Sequence, residues 1–468
     1  MNTKGKQILA NTGIYALGTF GTNILSFFIV PLYTYYISTT DLGIYDIFMS
    51  SVSLLIPIIT LQISDACYKY IIDDEIIEKE KYIRACIQVV LINSIIACAL
   101  ILTGSYICKF SYAFYFCIIL INSIVIQTFQ KILRGLKKIK IFSASGIIYS
   151  FILLSSTIIQ LTIFNNGIEG IFKSIIAAGL IASAILLFWV KELRINIFVK
   201  SSWTLVASLY RYSIPLVPNY LNWWIMNTFN RYIVLFVLGS SANGIIAVAH
   251  KFPTVLQTMI GLFNNSWQDM TIASHDDDGK FYSLVFAKFY RIALSMMLWL
   301  IPFTKIFIFI VMSDSYKISS NYVPFYYLGS LFQGLSSFYG VGYLRNKKTN
   351  RAFITSVYGT IINVIINVLL IKIIGLQAVA VSTFIGFFVI WIIREKENRN
   401  ELNIVVKWNE LILLIASCII VAIVSINCDI LYNAVLMVVS SIVFCIYNRK
   451  DLVNIHGFLK TKLRRVIG

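Results

Sequence analysis

Along the chain, apolar runs of about 20 residues alternate with short polar segments, and each run is long enough to cross a hydrocarbon core of about 30 Å. The pattern predicts fourteen transmembrane helices, at 11–37, 42–68, 84–106, 110–130, 141–164, 167–190, 212–238, 244–267, 285–312, 321–344, 352–373, 376–393, 409–426 and 429–447. Pro215 and Pro218 fall in the first turn or two of the seventh, where a helix tolerates them best. No small-residue cleavage site follows the first run, which is therefore expected to stay as an anchor.

The second half repeats the first. Gly43 corresponds to Gly244, Leu133-Arg134 to Leu344-Arg345, and Gly167-Ile168 to Gly375-Leu376, in the same order and at offsets near 200 residues. Six spans per unit keep both units in one orientation, so their two-fold axis is expected to lie along the membrane normal, as in parallel-repeat transporters. The expected architecture is all-α and integral to the membrane. An N-terminal six-helix lobe (1–200) and a C-terminal six-helix lobe (201–400) surround a central cavity. Residues 401–468 add two peripheral helices and a basic tail.

Composition agrees with this reading. Charged residues are 13% of the chain and apolar ones 58%, against about 25% charged in soluble proteins. Of the 39 Lys and Arg, 32 lie in the termini and in alternate connections, three (Lys109, Lys317, Lys372) lie on the other face, and four fall within spans. Basic loops stay cytoplasmic, so both termini are expected inside. The net charge of +18 is thus a topology signal directed at anionic lipid headgroups and not at nucleic acid.

The eight cysteines are scattered without a C-x-x-C pair, His250, His275 and His456 are far apart, and no phosphate-binding loop is present. No metal, cofactor or catalytic residue is expected, and with no large loop to carry a catalytic domain the chain is not expected to be an enzyme.

Ionisable groups inside the membrane are costly and are read as functional candidates. Arg231 and Lys251 each lie seven residues from the outer end of their spans, about 10 Å deep, and two cations at one depth suit a phosphate-bearing ligand. Lys305, mid-span and without a local partner, is expected to line the cavity. Asn222, Trp223 and Asn230 add amide and indole donors for phosphate and sugar. Asp46, Asp65 and His250 are the ion-coupling candidates, although Asp65 with Lys69 has the i,i+4 spacing of a structural pair, as do Glu169 and Lys173.

Pro215-Leu216-Val217-Pro218-Asn219, Trp223-Trp224, Asn230-Arg231-Tyr232-Ile233, Gly244-Ile245, Lys251-Phe252-Pro253-Thr254 and Trp267, with Pro31-Leu32-Tyr33 and Asp41-Leu42-Gly43-Ile44-Tyr45, resemble the Wzx-type lipid-linked oligosaccharide flippases. These form the polysaccharide transporter family of the multidrug/oligosaccharidyl-lipid/polysaccharide exporter superfamily. The resemblance implies a two-lobe exporter in the bacterial inner membrane. Its substrate would be an undecaprenyl-diphosphate-linked oligosaccharide moved to the outer leaflet, and its partners the polymerase or chain-length proteins of the pathway. Asn230 stands where the family usually has Asp, which removes a proton carrier from that position. The alternative within the fold is a cation-coupled multidrug exporter, which would use buried carboxylates for cationic drugs.

Overall fold

The computed structural model describes residues 3–73, 78–196, 198–273, 279–346 and 348–449. His275, His456, parts of the 69–84 and 268–284 connections and the basic tail beyond 449 lie outside the described residues. Among those described, the chain is helical and has no strand. The helices are α1 (Thr3–Tyr36), α2 (Thr39–Thr60), α3 (Ile63–Ile72), α4 (Lys79–Cys108), α5 (Ala113–Gly135), α6 (Ile139–Ile158), α7 (Gly167–Trp189), α8 (Trp203–Ser213), α9 (Val217–Trp224), α10 (Asn230–Leu238), α11 (Ser240–Ala273), α12 (Gly279–Val311), α13 (Val323–Arg345), α14 (Thr349–Ile374), α15 (Gln377–Asn398), α16 (Trp408–Asn427) and α17 (Ile430–Tyr447).

Eleven of these, α6 extended by the π-helical turn Ile159–Ile163, are long and apolar enough to cross a membrane by themselves. The other three expected spans correspond to α1, to the segmented run α8–α10 and to α13. Almost every residue of α13 is buried, so its Tyr, Ser and Gly residues pack against protein and not lipid, which is why its composition is less apolar than its neighbours'.

Two spans depart from a regular helix. The second breaks at Leu61 and Gln62, both in the left-handed region at φ 47° and 56°, a conformation costing L-residues roughly 1–2 kcal/mol each. Asn93 Nδ2 donates to the carbonyl of Ile59 at 2.9 Å just before the break, satisfying an acceptor that the interrupted helix leaves open. The seventh span begins earlier than expected, with α8. Pro215 lies in a 3-10 turn and Pro218 at the start of α9, so the prolines join two helices where the sequence pattern placed a helix start.

The chain forms two compact units, residues 1–235 with 239–244, and residues 236–238 with 245–468. In the first, α2 packs on α4, α5, α7 and α9, α1 packs on α6, and α8 packs on α3 and α4. Its core holds Phe48 against Phe116 and Phe172, with ring centroids 4.9 and 4.3 Å apart. In the second, α13 packs on α14 and α15, while α16 and α17 pack along α12. There Trp267 stacks on Phe338 at 4.2 Å and donates its indole N–H to the Phe338 carbonyl at 3.0 Å.

Candidate functional site

Gly43, Asp46, Ser50 and Ser53 recur at i, i+3, i+7 and i+10 along α2, which puts them on one helical face. Small residues on such a face let a second helix come close in a membrane, where tight packing replaces the hydrophobic drive. The first turn of α11 uses this at Gly43. A Cβ there would meet the Ser240 carbonyl oxygen at 1.8 Å, and a Cβ at Gly244 would meet the Thr39 carbonyl oxygen at 2.0 Å. The two contacts are reciprocal when Gly43 is matched with Gly244 and Thr39 with Ser240, both at an offset of 201, which is the signature of a local two-fold.

Farther along α2, the same face meets α9 and α10. Trp224 donates its indole N–H to Ser53 Oγ at 3.0 Å and to the Ser50 carbonyl at 3.2 Å. Ser51 Oγ and the Tyr232 hydroxyl are 2.6 Å apart, and the Trp224 and Tyr232 rings lie 5.7 Å from each other. Between these aromatics the chain makes a π-helical turn, Ile225–Phe229. Such a turn accommodates the equivalent of one extra residue, which brings Tyr232 into register with Trp224. The turn also loosens the backbone ladder, and Asn227 Nδ2 donates to the Trp223 carbonyl at 2.8 Å.

This cluster holds an ion pair. The Arg231 guanidinium donates to Asp46, whose side chain is 9% exposed against 17% for the arginine. Asn243, fully buried in the first turn of α11, donates its amide to Asp46 Oδ2 at 3.3 Å and to the Gly43 carbonyl at 3.1 Å. Arg231 is therefore not a lipid-facing cation reaching for headgroups. It is neutralised by a carboxylate 185 positions away, inside one unit.

The other expected residues are distributed as follows. Asp65 does not pair with Lys69: it accepts from Lys131 of α5 and from the Tyr220 hydroxyl, the latter at 3.1 Å, while Lys69 lies 4.0 Å over the Tyr212 ring. Glu169 and Lys173 do pair, at 3.7 Å. Asn222 and Asn230 are buried in the first unit, the Asn222 amide nitrogen having no acceptor among the described residues, and Trp223 is half-buried. In the second unit, His250 meets the Tyr326 ring edge-on at 5.2 Å and Lys251 is exposed.

Lys305 is placed differently from the expectation. Its ammonium donates to the carbonyls of Ser425, Ile426 and Cys428, the last two at 3.1 and 2.9 Å. All three donors serve the C-terminal end of α16, whose last carbonyls lack partners within the helix. The lysine is a helix cap supplied from 120 positions away, and a local search of the sequence could not see its partners.

Trp224 belongs to the Asn222–Trp224 segment expected to supply amide and indole donors, whereas Tyr232 and Asn243 were not expected as site residues. Tyr232 had a signal, since it adjoins Arg231 in the family-like segment. Asn243 had only its neighbour Gly244.

The family profile described as Polysaccharide biosynthesis protein matches residues 8–267. The chain belongs to this family. Its matched region contains every residue of the Asp46–Arg231 cluster. No curated protein sequence matches the chain. Among solved structures, this polysaccharide biosynthesis protein resembles the lipid II flippase MurJ in an inward closed conformation, at 15% identity and TM-score 0.69, over 94% of this chain and 99% of that one. It also resembles a multidrug resistance MATE family transporter of the MOP superfamily. For the inward-facing conformation the values are 13% identity, TM-score 0.65, and 83% and 94% of the two chains. For the outward-facing conformation they are 13%, 0.56, and 84% and 95%. At these identities the likeness is one of fold: a multi-pass membrane protein with a flippase-like transporter architecture.

Proposed function

We propose that this polysaccharide biosynthesis protein translocates an undecaprenyl-diphosphate-linked oligosaccharide from the cytoplasmic to the outer leaflet of a bacterial inner membrane, by alternating access driven by an ion gradient or the membrane potential. The observation that carries the reading is that the family match encloses a half-buried arginine paired with a buried carboxylate. A guanidinium grips two phosphate oxygens as readily as a carboxylate, through charge-assisted bonds roughly twice as strong as neutral ones. In this reading Asp46 keeps Arg231 oriented and its charge balanced until the diphosphate takes its place, and a proton or cation arriving at Asp46 favours the exchange. Trp224, Tyr232 and Asn222 offer the aromatic faces and amide donors that sugars use.

Cation-coupled drug export has less support. Asp46 and Asp65, the two carboxylates best placed for cationic cargo, are both engaged by cations of the chain itself.

The test is rescue of a flippase-deficient strain, with the accumulated lipid-linked intermediate identified chemically. Rescue by the wild-type chain with clearance of that intermediate is the expected result. Drug resistance without rescue would favour the exporter. The orientation is tested separately: on a background without native thiols, cysteines at 240–242 should react with an impermeant thiol reagent from outside and one at 136 should not.

A further inference from the structure

In the second unit, α15 and α16 enclose a groove of about 660 Å³. One wall is a strip of α16, with Ile412, Ile415 and Ile419, and Phe388 of α15 faces it. At one end stand Trp391 and Trp408, with ring centroids 6.3 Å apart, and then Glu395, Lys396 and Arg399. From Trp408 to Ile419 the strip is about 16 Å long at 1.5 Å per residue, close to half of a hydrocarbon core of about 30 Å. The groove is one leaflet deep, with its tryptophans where membrane interfaces enrich them.

Two features at the polar end call for an anionic ligand. Glu395 is buried and 3.3 Å from Arg399, while no carboxylate among the described residues pairs with the exposed Lys396, so the end keeps a positive charge. Trp391 is 5% exposed, and its indole N–H has no acceptor among the described residues. A buried donor without an acceptor is costly, and an ester or phosphate oxygen would supply one.

We propose that this groove binds one glycerophospholipid with an anionic headgroup. The phosphate lies at Lys396 and Arg399, an ester or phosphate oxygen accepts from Trp391, and an acyl chain lies along the isoleucines of α16. On the charge bias of the loops this is a lipid of the cytoplasmic leaflet. The site is separate from the Asp46–Arg231 cluster and does not depend on what the protein transports.

The experiment is native mass spectrometry of the full chain, stripped of lipid in detergent and titrated with phosphatidylglycerol or with phosphatidylcholine of the same acyl chains. One phosphatidylglycerol should bind ahead of any phosphatidylcholine. In Lys396→Gln/Arg399→Gln its affinity should fall on the order of thirtyfold, the effect of two basic residues at a membrane surface. Trp391→Phe should weaken binding several-fold by removing one donor. Ile415→Trp, which fills the groove and leaves the cations in place, should displace the lipid as well, and it provides the answer if the double variant does not fold. Equal binding of the two lipids, or unchanged affinity in both the charge and the groove-filling variants, would overturn the proposal. So would displacement of the lipid by millimolar inorganic phosphate, which would make this a phosphate site without a tail.

Discussion

Arg231 in the first unit and Lys305 and Arg394 in the second are held by partners of different kinds. In the first, Arg231 is paired with a carboxylate, Asp46. In the second, Lys305 faces three carbonyls at a helix end, and Arg394 is 5% exposed with only neutral partners. The Arg394 guanidinium donates to Ser356 Oγ at 2.8 Å, the Ala352 carbonyl at 3.0 Å, Thr355 Oγ1 at 3.1 Å and the Ser336 carbonyl at 3.2 Å. It ties α13, α14 and α15 together. Backbone carbonyls and buried hydroxyls cannot leave, so Lys305 and Arg394 are fixed parts of the scaffold. In the proposed cycle, a carboxylate partner is what the diphosphate of the substrate would replace. Depth in the membrane made Arg231 and Lys305 look alike, and the identity of the partner separates them.

The largest effect should come from breaking the exchangeable pair. Arg231→Gln should abolish export in the rescue assay while membrane levels stay near wild type, because Gln can still donate to Asp46. Arg231→Lys should keep part of the activity, having the charge without the fork. Lys251→Gln should be milder than either, a point charge being easier to replace. The sharper test is the swap Asp46→Arg with Arg231→Asp. Either single change leaves like charges together, and the swap should restore protein levels but not export, since the arginine then sits on the wrong helix. Normal export from the swapped protein would show that the pair is structural, like its counterparts in the second unit.

Lys305→Met should give the converse result. Three carbonyls at the end of α16 lose their donor, at a cost of about 1–3 kcal/mol. Membrane levels and Tm in detergent should therefore fall, while the molecules that remain export at the wild-type rate. Full levels with no export would return Lys305 to the substrate path. Arg394→Lys should be weaker in the same direction, because one ammonium cannot reach acceptors on two neighbouring helices at once. A Tm equal to wild type would mean that the hydroxyls of Thr355 and Ser356 rearrange to satisfy the site.

Periodicity and apolar length made the helices legible. The expected 167–190, 409–426 and 429–447 are found as Gly167–Trp189, Trp408–Asn427 and Ile430–Tyr447. The break at Leu61–Gln62 falls one turn after Pro57 and at residues that themselves give no turn signal, and the π-helical turn at Ile225–Phe229 leaves the composition of its span unchanged. The site was half legible: the cost of charge in hydrocarbon pointed to Arg231 and Asp46 separately, but not to each other. Pairing across 185 positions is decided by how helices pack. Asp65 shows the limit of local rules. Its i,i+4 neighbour was available, but Lys131 and Tyr220 reach it from two other helices, and Lys69 turned to an aromatic face instead.

If exchangeability and not merely opposite charge is what marks the site, a carboxylate–cation pair in a wetter place should matter little. Glu169 and Lys173 provide that control. They are 3.7 Å apart on α7 with side chains 49% and 40% exposed, and they share the i,i+4 spacing that contributes roughly 0.2–0.5 kcal/mol on a helix surface. Neither side chain is enclosed by protein, so removing one leaves no ion buried within the protein. Lys173→Gln should change Tm by less than about 0.5 kcal/mol of equivalent stability, and it should export normally in the same rescue assay that Arg231→Gln fails. A Lys173→Gln protein at full membrane level that fails to export would place a second charge-sensitive step on the outer face of the first unit, and the contrast between buried and exposed pairs would then no longer locate the site.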